Sequence, residues 1–224
     1  MRQLVLDLPV ATRFGREDFL VSPSNEEAYR RLERWPDWPE RFLHLQGPSG
    51  SGKSHLAAIW AGRAQAVTLP ANAVGGEHLG ELGQSAALVL EDLDRGPLDE
   101  PALFHLVNKL RETGAFLLLT SAAPLSSCGL ATPDLISRLR LAPQVTIGAP
   151  DDALLRAVLV KLLLDRQLVV DTGVIEYIAQ RIERSLARAA EIVAMLDREA
   201  LSLNRRITRP VVAALLERQD MSAE

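Results

Sequence analysis

The sequence predicts an α/β fold in which a parallel sheet with flanking helices is followed by a small all-helical unit. Between residues 42 and 147, short apolar runs alternate with helix-forming segments, as in a parallel sheet covered on both faces. A glycine-rich loop at residues 47–54 joins the first apolar run to a helix. After Pro150 the pattern changes, and four segments with helical spacing follow.

Local signals predict each element in order. Ser24 or Asn25 can cap a first helix that ends near Glu33, and two prolines make residues 35–39 a turn. Apolar runs predict buried strands at 42–46, 86–90 and 116–119, and shorter strands are predicted at 66–69 and 145–147. The segments between them predict helices at 53–63, 77–82, 100–112 and 135–139. In the second unit, helices are predicted at 151–164, 172–182, 186–203 and 210–216, with Asp151, Asp171 and Thr208 as caps.

The composition excludes several classes of protein. Of 224 residues, 47% are hydrophobic and 24% are charged, which is a normal globular balance. A net charge of −4 argues against a strongly basic surface for nucleic acid, and we expect no direct sequence-specific DNA binding. The single cysteine, Cys128, rules out an internal disulfide and suits a reducing cytoplasm. There is no signal-peptide pattern and no apolar run long enough to span a bilayer, so we expect a cytoplasmic protein without membrane attachment.

The glycine-rich loop has the full G-x-x-x-x-G-K-[ST] pattern of a phosphate-binding loop. Its glycines allow successive backbone N–H groups to point at a polyphosphate, the lysine reaches the outer phosphates, and the last hydroxyl can ligate Mg²⁺. The position between a strand and a helix N-terminus adds a favourable field for phosphate. We call this segment the phosphate loop; its residues are Gly47, Pro48, Ser49, Gly50, Ser51, Gly52, Lys53 and Ser54.

Polar residues end two of the predicted strands. Glu91 and Asp92 follow the apolar run 86–90, at the sheet edge where open α/β sheets bind ligands. One carboxylate would hold Mg²⁺ and the other would polarise water, although the pattern leaves open which does which, and a solvated acidic turn is the plain alternative. Thr120 and Ser121 end the next strand and can hydrogen-bond the γ-phosphate or the water, although such residues also simply end strands.

Three arginines are candidates for contacts with phosphate. Arg138 lies on a predicted short helix beyond the sheet, where its planar guanidinium could reach the phosphates of a neighbouring molecule. The alternative is an ordinary surface arginine. Arg184 and Arg188 lie where two helices of the second unit meet, and either could close over the nucleotide. For these two, the alternative is a pair on a solvated helix face.

These features occur in an order that resembles the AAA+ ATPases, and more closely the subgroup of the initiator DnaA. The resemblance implies an AAA+ sheet with a helical lid, ATP or ADP as the ligand, Mg²⁺ as its metal, and a possible homo-oligomer through the AAA+ interface. Thr120-Ser121 resembles sensor 1, Ser137-Arg138 the arginine-finger motif, and Arg184 sensor 2, which contacts the bound nucleotide. The resemblance further implies a segment that packs on adenine, with Phe19, Val21 and Asn25. It also implies that His55 binds the nucleotide, since residues 52–56 resemble the G-K-[ST]-H-L run of the subgroup.

Two further features resemble the Hda-like regulatory inactivators of DnaA. Only residues 208–224 follow the last long lid helix, which is too little for the DNA-binding domain of the initiator. The N-terminal segment alternates apolar and polar residues, and it resembles a peptide that docks on the DNA polymerase sliding clamp; its anchors would be Gln3, Leu4, Leu6 and Leu8. An ordinary first strand is the alternative. The expected domains are a clamp-binding peptide and connector at 1–13, an AAA+ domain at 14–150 and a lid at 151–224.

The resemblance implies a nucleotide-bound regulator of chromosome replication. It would dock on the clamp and stimulate ATP hydrolysis by DnaA in trans through Arg138. Two alternatives remain: a DnaA-like ATPase that acts as a helicase loader, and an interaction scaffold with a vestigial site. Glu91 stands where aspartate is commoner, so weak intrinsic ATP hydrolysis is expected, and ADP is as good a candidate ligand as ATP.

Overall fold

The computed structural model describes residues 15–203 and 206–220. The chain divides into two compact units, the first ending at Ala149 and the second beginning at Pro150. The predicted clamp-binding anchors lie outside the described residues, so their part in any interaction stays a prediction.

A five-stranded parallel sheet forms the centre of the first unit, in the order β2-β3-β4-β1-β5. The strands β1 to β5 are Phe42–Gln46, Val67–Pro70, Ala87–Glu91, Phe116–Ser121 and Gln144–Thr146. The helices α1 to α5 of this unit are Glu26–Glu33, Lys53–Ala64, Leu79–Leu82, Glu100–Thr113 and Pro133–Leu139. Strands and helices therefore alternate as the sequence predicts, and the α/β fold class is confirmed.

The three central strands β1, β3 and β4 are buried on both faces, and successive side chains of each strand point to opposite faces. In β3, Leu88 and Leu90 pack in one core with residues of α4 and α5, whereas Val89 packs in the other core with residues of α1 and α2. Burial on both faces explains why the central strands are continuous apolar runs rather than alternating ones.

The strand order brings the carboxyl ends of β1, β4 and β3 together. Gln46 pairs with Ser121, and Leu90 pairs with Leu119 on the other side of β4. Just beyond the paired residues, the Gly47 N–H donates to the Ser121 carbonyl at 3.1 Å. The phosphate loop and the polar ends of the next two strands therefore meet at one edge of the sheet.

The second unit consists of helices around its own apolar core. Helices α6 to α9 are Asp152–Asp165, Thr172–Ala179, Leu186–Leu203 and Arg209–Asp220. Asp151 caps α6, since its side chain accepts from the Leu154 N–H at 2.8 Å. The prediction that α7 reaches Ile182 was wrong: the chain turns after Ala179, and the Ser185 hydroxyl accepts from the Arg188 N–H at 3.2 Å in the first turn of α8. No helix within the described ranges is both long enough and apolar enough to cross a membrane.

Candidate nucleotide-binding site

Three glycines of the phosphate loop are required by the backbone. Gly50 and Gly52 have φ values of 70° and 104°, which residues with a Cβ rarely adopt. Gly47 has a different constraint, because a Cβ there would lie 2.3 Å from the Ile147 carbonyl oxygen. The loop therefore keeps its backbone N–H groups in a tight turn at the start of α2.

Lys53 is held inside this loop. Its Nζ donates to the Gly47 carbonyl at 2.7 Å and to the Pro48 carbonyl at 3.0 Å. Burial lowers the pKa of Lys53, although the nearby carboxylates Asp92 and Asp94 favour the charged form. The two carbonyl oxygens thus occupy positions that phosphate oxygens could take over.

Two hydroxyls of the phosphate loop differ in their surroundings. Ser51 is buried, and within the described chain its Oγ has no hydrogen-bond partner. A buried hydroxyl without a partner is costly unless a ligand or a water supplies one. Ser54 follows Lys53 in the first turn of α2 and is exposed. The loop therefore fits an anion and leaves the Ser54 hydroxyl open to an associated metal ion.

The two acidic residues at the end of β3 have different partners. Glu91 is half-buried, and its Oε1 is buried with no hydrogen-bond partner among the residues described. Asp92 has a φ of 57°, and its carboxylate lies 3.3 Å from the exposed guanidinium of Arg95. In this structure Glu91 therefore has an unsatisfied oxygen, whereas the Asp92 carboxylate already has a counter-charge.

Asp94 has a structural role that the sequence indicated only as part of an acidic turn. Its carboxylate accepts from the backbone N–H groups of Ala122 and Ala123, at 3.0 Å each. Burial disfavours the charged form of Asp94, but these hydrogen bonds outweigh it and lower the pKa. Asp94 thereby ties the turn after β3 to the chain after β4.

Thr120 and Ser121 are both fully buried, and their hydroxyls are used differently. The Thr120 hydroxyl oxygen accepts from the Asp92 N–H at 3.0 Å, and its own proton remains available. The Ser121 hydroxyl donates to the Ala123 carbonyl at 2.6 Å and lies 2.7 Å from His44 Nε2. We expected both hydroxyls to face phosphate; the structure engages that of Ser121 inside the protein.

His44 completes this buried group. The Ser121 proton goes to a carbonyl, so His44 must donate through Nε2, which fixes the neutral tautomer. Burial lowers the pKa of His44 to about 4, with Asp94 opposing the change. No local pattern in the sequence indicates this pair, because its members are 77 residues apart.

The segment predicted to contact adenine is ordered around Asn25. The Asn25 side chain accepts from the Ser22 N–H at 2.8 Å and donates to the Leu20 carbonyl at 2.9 Å, and it makes no cap hydrogen bond to α1. The side chain of Val21, between these two contacts, is 49% exposed. Asn25 therefore shapes the loop that presents Val21.

Phe19 and His55, by contrast, pack against the protein. The Phe19 ring stacks on Tyr29 with centroids 5.6 Å apart, and it meets the His55 ring edge-on at 5.2 Å. His55 also contacts the Gly15 carbonyl through Nε2 at 3.2 Å. These contacts connect the start of the described chain to α2, directly behind the phosphate loop.

The candidate arginines lie in different units. Arg138, on α5 of the first unit, is half-buried, and its guanidinium lies 4.8 Å from the centre of the Phe104 ring. Arg184, in the second unit, is exposed and pairs with Asp152 at 2.8 Å. Arg188 pairs with Glu191 at 3.1 Å. The described residues contain no cluster of three or more side chains of the types that usually bind metal ions.

Several solved structures have a similar fold. Domain III of the replication initiation protein DnaA from Thermotoga maritima matches with a TM-score of 0.82 at 17% identity, over 94% of this chain and 98% of that chain. AMPPCP-bound DnaA from Aquifex aeolicus matches with a TM-score of 0.70 at 19% identity, over 87% of this chain and 68% of that chain. The RuvB Holliday junction branch migration motor from Thermotoga maritima matches with a TM-score of 0.68 at 15% identity, over 92% of this chain and 72% of that chain. This chain therefore shares the fold of these proteins.

The helical unit makes the relationship more specific. Residues 152–216 match the family model described as the Hda lid domain. No curated protein sequence matches this chain significantly. The match to the Hda lid model and the fold likeness to DnaA domain III both agree with the resemblance that the sequence motifs indicated.

Proposed function

We propose that this protein is a nucleotide-bound regulator of chromosome replication that docks on the sliding clamp and stimulates ATP hydrolysis by DnaA in trans. The observation that carries the proposal is the Hda lid at residues 152–216, joined to a first unit with an intact phosphate loop and the DnaA fold. The alternating peptide with Gln3, Leu4, Leu6 and Leu8 supports the clamp part from sequence alone.

The first step is binding of ATP or ADP. Lys53 exchanges the Gly47 and Pro48 carbonyls for the outer phosphate oxygens, and the loop N–H groups bind the remaining charge. Ser54 and Glu91 would hold Mg²⁺, which supplies Lewis-acid polarisation of the phosphates. Glu91 is favoured over Asp92 as the metal partner because Oε1 of Glu91 lacks a hydrogen bond within the described chain.

The adenine group would occupy the loop that Asn25 shapes. Val21 offers an exposed apolar contact, and Phe19 and His55 support the loop from behind. The resemblance to sensor 2 makes Arg184 the lid residue proposed to contact the nucleotide. For the attacking water, Asp92 and the Thr120 proton are the proposed polar contacts. Ser121 then acts indirectly, because its hydroxyl is engaged with Ala123.

The trans step depends on Arg138. An arginine supplied by a neighbouring molecule stabilises charge that builds on the transferring phosphoryl group and is worth about 10³–10⁵ in rate. Within the described residues no carboxylate pairs with Arg138, so its charge is not neutralised inside its own molecule. Such an arginine is suited to another molecule's phosphates.

The test is phosphate release from ATP-bound DnaA in the presence of clamp-loaded DNA. Arg138→Ala should keep nucleotide affinity and lose the stimulation by roughly 10³ or to background. Arg138→Lys should rescue poorly, because an ammonium cannot span two oxygens. Arg140→Ala, two residues further on and exposed, is the matched control. Full stimulation by Arg138→Ala would refute the mechanism.

A second function, hydrolysis of ATP by the chain itself as in a DnaA-like ATPase that loads a helicase, is supported by the intact loop and by Glu91. Turnover measured without DnaA separates the two functions. A turnover that is independent of DnaA and abolished by Glu91→Gln would favour the ATPase, whereas stimulation of DnaA that survives Glu91→Gln would favour the regulator.

A further inference from the structure

Helix α4 contacts α5 at both of its ends. At the N-terminal side, the Glu100 carboxylate accepts from the backbone N–H groups of Ala131 and Thr132, at 2.8 and 2.7 Å. At the C-terminal side, Arg111 Nη2 donates to the carbonyl of Arg138 at 3.3 Å. The two ends of the segment that carries Arg138 are thus tied to one helix.

The Glu100 contacts use both carboxylate oxygens, one for each N–H group. Those N–H groups belong to the residues immediately before α5, which begins at Pro133. A proline has no N–H to donate, so the orientation of the helix start depends on the residues before it. Glu100 therefore fixes the point at which α5 leaves the preceding loop.

Between these two ties, Phe104 lies under the side chain of Arg138. The guanidinium carbon is 4.8 Å from the ring centre, a cation–π distance. Arg138 Nε is buried and has no hydrogen-bond partner in the parts of the chain that are described. An aromatic face can hold a guanidinium without neutralising its charge, whereas a carboxylate would compete with phosphate for the same N–H groups.

We propose that Glu100, Phe104 and Arg111 are positioning residues that hold Arg138 in a fixed, un-neutralised orientation before it meets a partner's nucleotide. This inference rests on the proposed function, since it takes Arg138 as the residue that acts in trans. Because the Arg138 side chain would already be ordered before the partner binds, less of its conformational freedom would be lost in the transition state.

The first experiment tests the contact without any partner. The isolated protein is treated with phenylglyoxal, and the modification rate of Arg138 is measured by mass spectrometry against that of Arg140. Phe104→Leu keeps an apolar side chain but removes the ring face, and it should raise the relative rate for Arg138 roughly fivefold. Phe104→Tyr keeps the face and should leave the rate near that of the parent.

The second experiment measures stimulation of DnaA as a function of protein concentration. Phe104→Leu and Glu100→Ala should lower the maximal stimulated rate at least about tenfold, and the half-saturating concentration and ADP affinity should stay unchanged. Phe104→Tyr should restore the rate. Glu112→Gln, an exposed change on the same helix, is the matched control.

The outcomes separate this inference from the function on which it rests. Faster labelling of Arg138 together with a lower maximal rate supports it. Unchanged labelling in Phe104→Leu overturns it, and so does faster labelling with normal stimulation. If Arg138→Ala itself stimulates normally, the trans mechanism fails, while the labelling result still decides whether Phe104 holds the arginine.

Discussion

The buried His44–Ser121 pair predicts an unusual acid sensitivity for the first unit. His44 is fully buried and donates to a hydroxyl that is itself engaged, and burial lowers its pKa from 6.5 to about 4. Above pH 6.5 the imidazole is neutral in the folded and the unfolded chain. As the pH falls below 6.5, the unfolded chain takes up a proton that the folded chain does not, so the folded state loses stability.

The pKa difference sets the magnitude of this loss. Each unit between the two pKa values costs 1.36 kcal/mol per proton, so His44 alone should remove about 3 kcal/mol by pH 4. Below that pH the folded chain is protonated as well, and the loss levels off. For comparison, a domain of ordinary stability has about 5–15 kcal/mol in total.

The matched variant is His44→Gln, because a glutamine amide can still donate to Ser121 and does not titrate. At pH 7.5 we expect the variant to be less stable by about 1 kcal/mol, since it loses ring packing. Near pH 4.5 the order should reverse, with the variant the more stable protein. Carboxylates titrate equally in both proteins, so their contribution cancels in the difference.

The stability of the first unit can be measured by urea unfolding with tryptophan fluorescence as the signal. Trp35, Trp38 and Trp60 are the tryptophans of the sequence, and all three lie in the first unit. His105→Gln changes an exposed histidine and should follow the parent curve. If the difference in free energy of unfolding between the parent and His44→Gln is the same at pH 7.5 and pH 4.5, the claim that His44 stays neutral in the folded protein is refuted.

Two further predictions concern binding. Lys53→Ala should abolish the rise in melting temperature that ADP causes; in the parent protein, an ADP concentration of 100 Kd stabilises the fold by about 2.7 kcal/mol. The control Lys161→Ala should retain this rise, and equal rises in Lys53→Ala and the parent would contradict the prediction. Replacing Gln3, Leu4, Leu6 and Leu8 together with alanine should remove binding to the purified clamp in a calorimetric titration and leave the melting temperature unchanged. Alanine at the intervening Val5 and Asp7 is the control. Undiminished affinity of the fourfold variant for the clamp would refute the assignment of a clamp-binding motif.

The sequence was sufficient for the fold because its main signals are local. Buried parallel strands read as apolar runs, and the helix after the phosphate loop begins at Lys53, as predicted. The end of α7 was less predictable, because residues 180–182 continue the helical pattern without a glycine or proline. There the turn toward Ser185 and α8 overrides the local pattern.

At the site, the local pattern predicted a tight glycine turn, and Gly50 and Gly52 do have positive φ values, but it could not predict the contacts of side chains with distant partners. Asn25 was expected to cap α1, but its amide bridges Ser22 and Leu20 instead. The register of β1 and β4 puts Ser121 beside Gln46, and the Ser121 hydroxyl meets His44 from the same strand. Such contacts depend on which strands are neighbours in the sheet, and local sequence patterns do not reveal the strand order.

The segment from β3 to α4 explains how the two proposed activities can share one small unit. Its first part carries Glu91 and Asp92, which we propose for the chain's own nucleotide, and Asp94, which hydrogen-bonds the loop after β4. Its second part, α4, carries Glu100, Phe104 and Arg111, which we propose to position Arg138 for a partner's nucleotide. A helix of 14 residues is a stiff connector of about 20 Å. Changes at Glu100 or Phe104 should therefore impair stimulation while sparing nucleotide affinity, and changes at Lys53 should impair nucleotide affinity first.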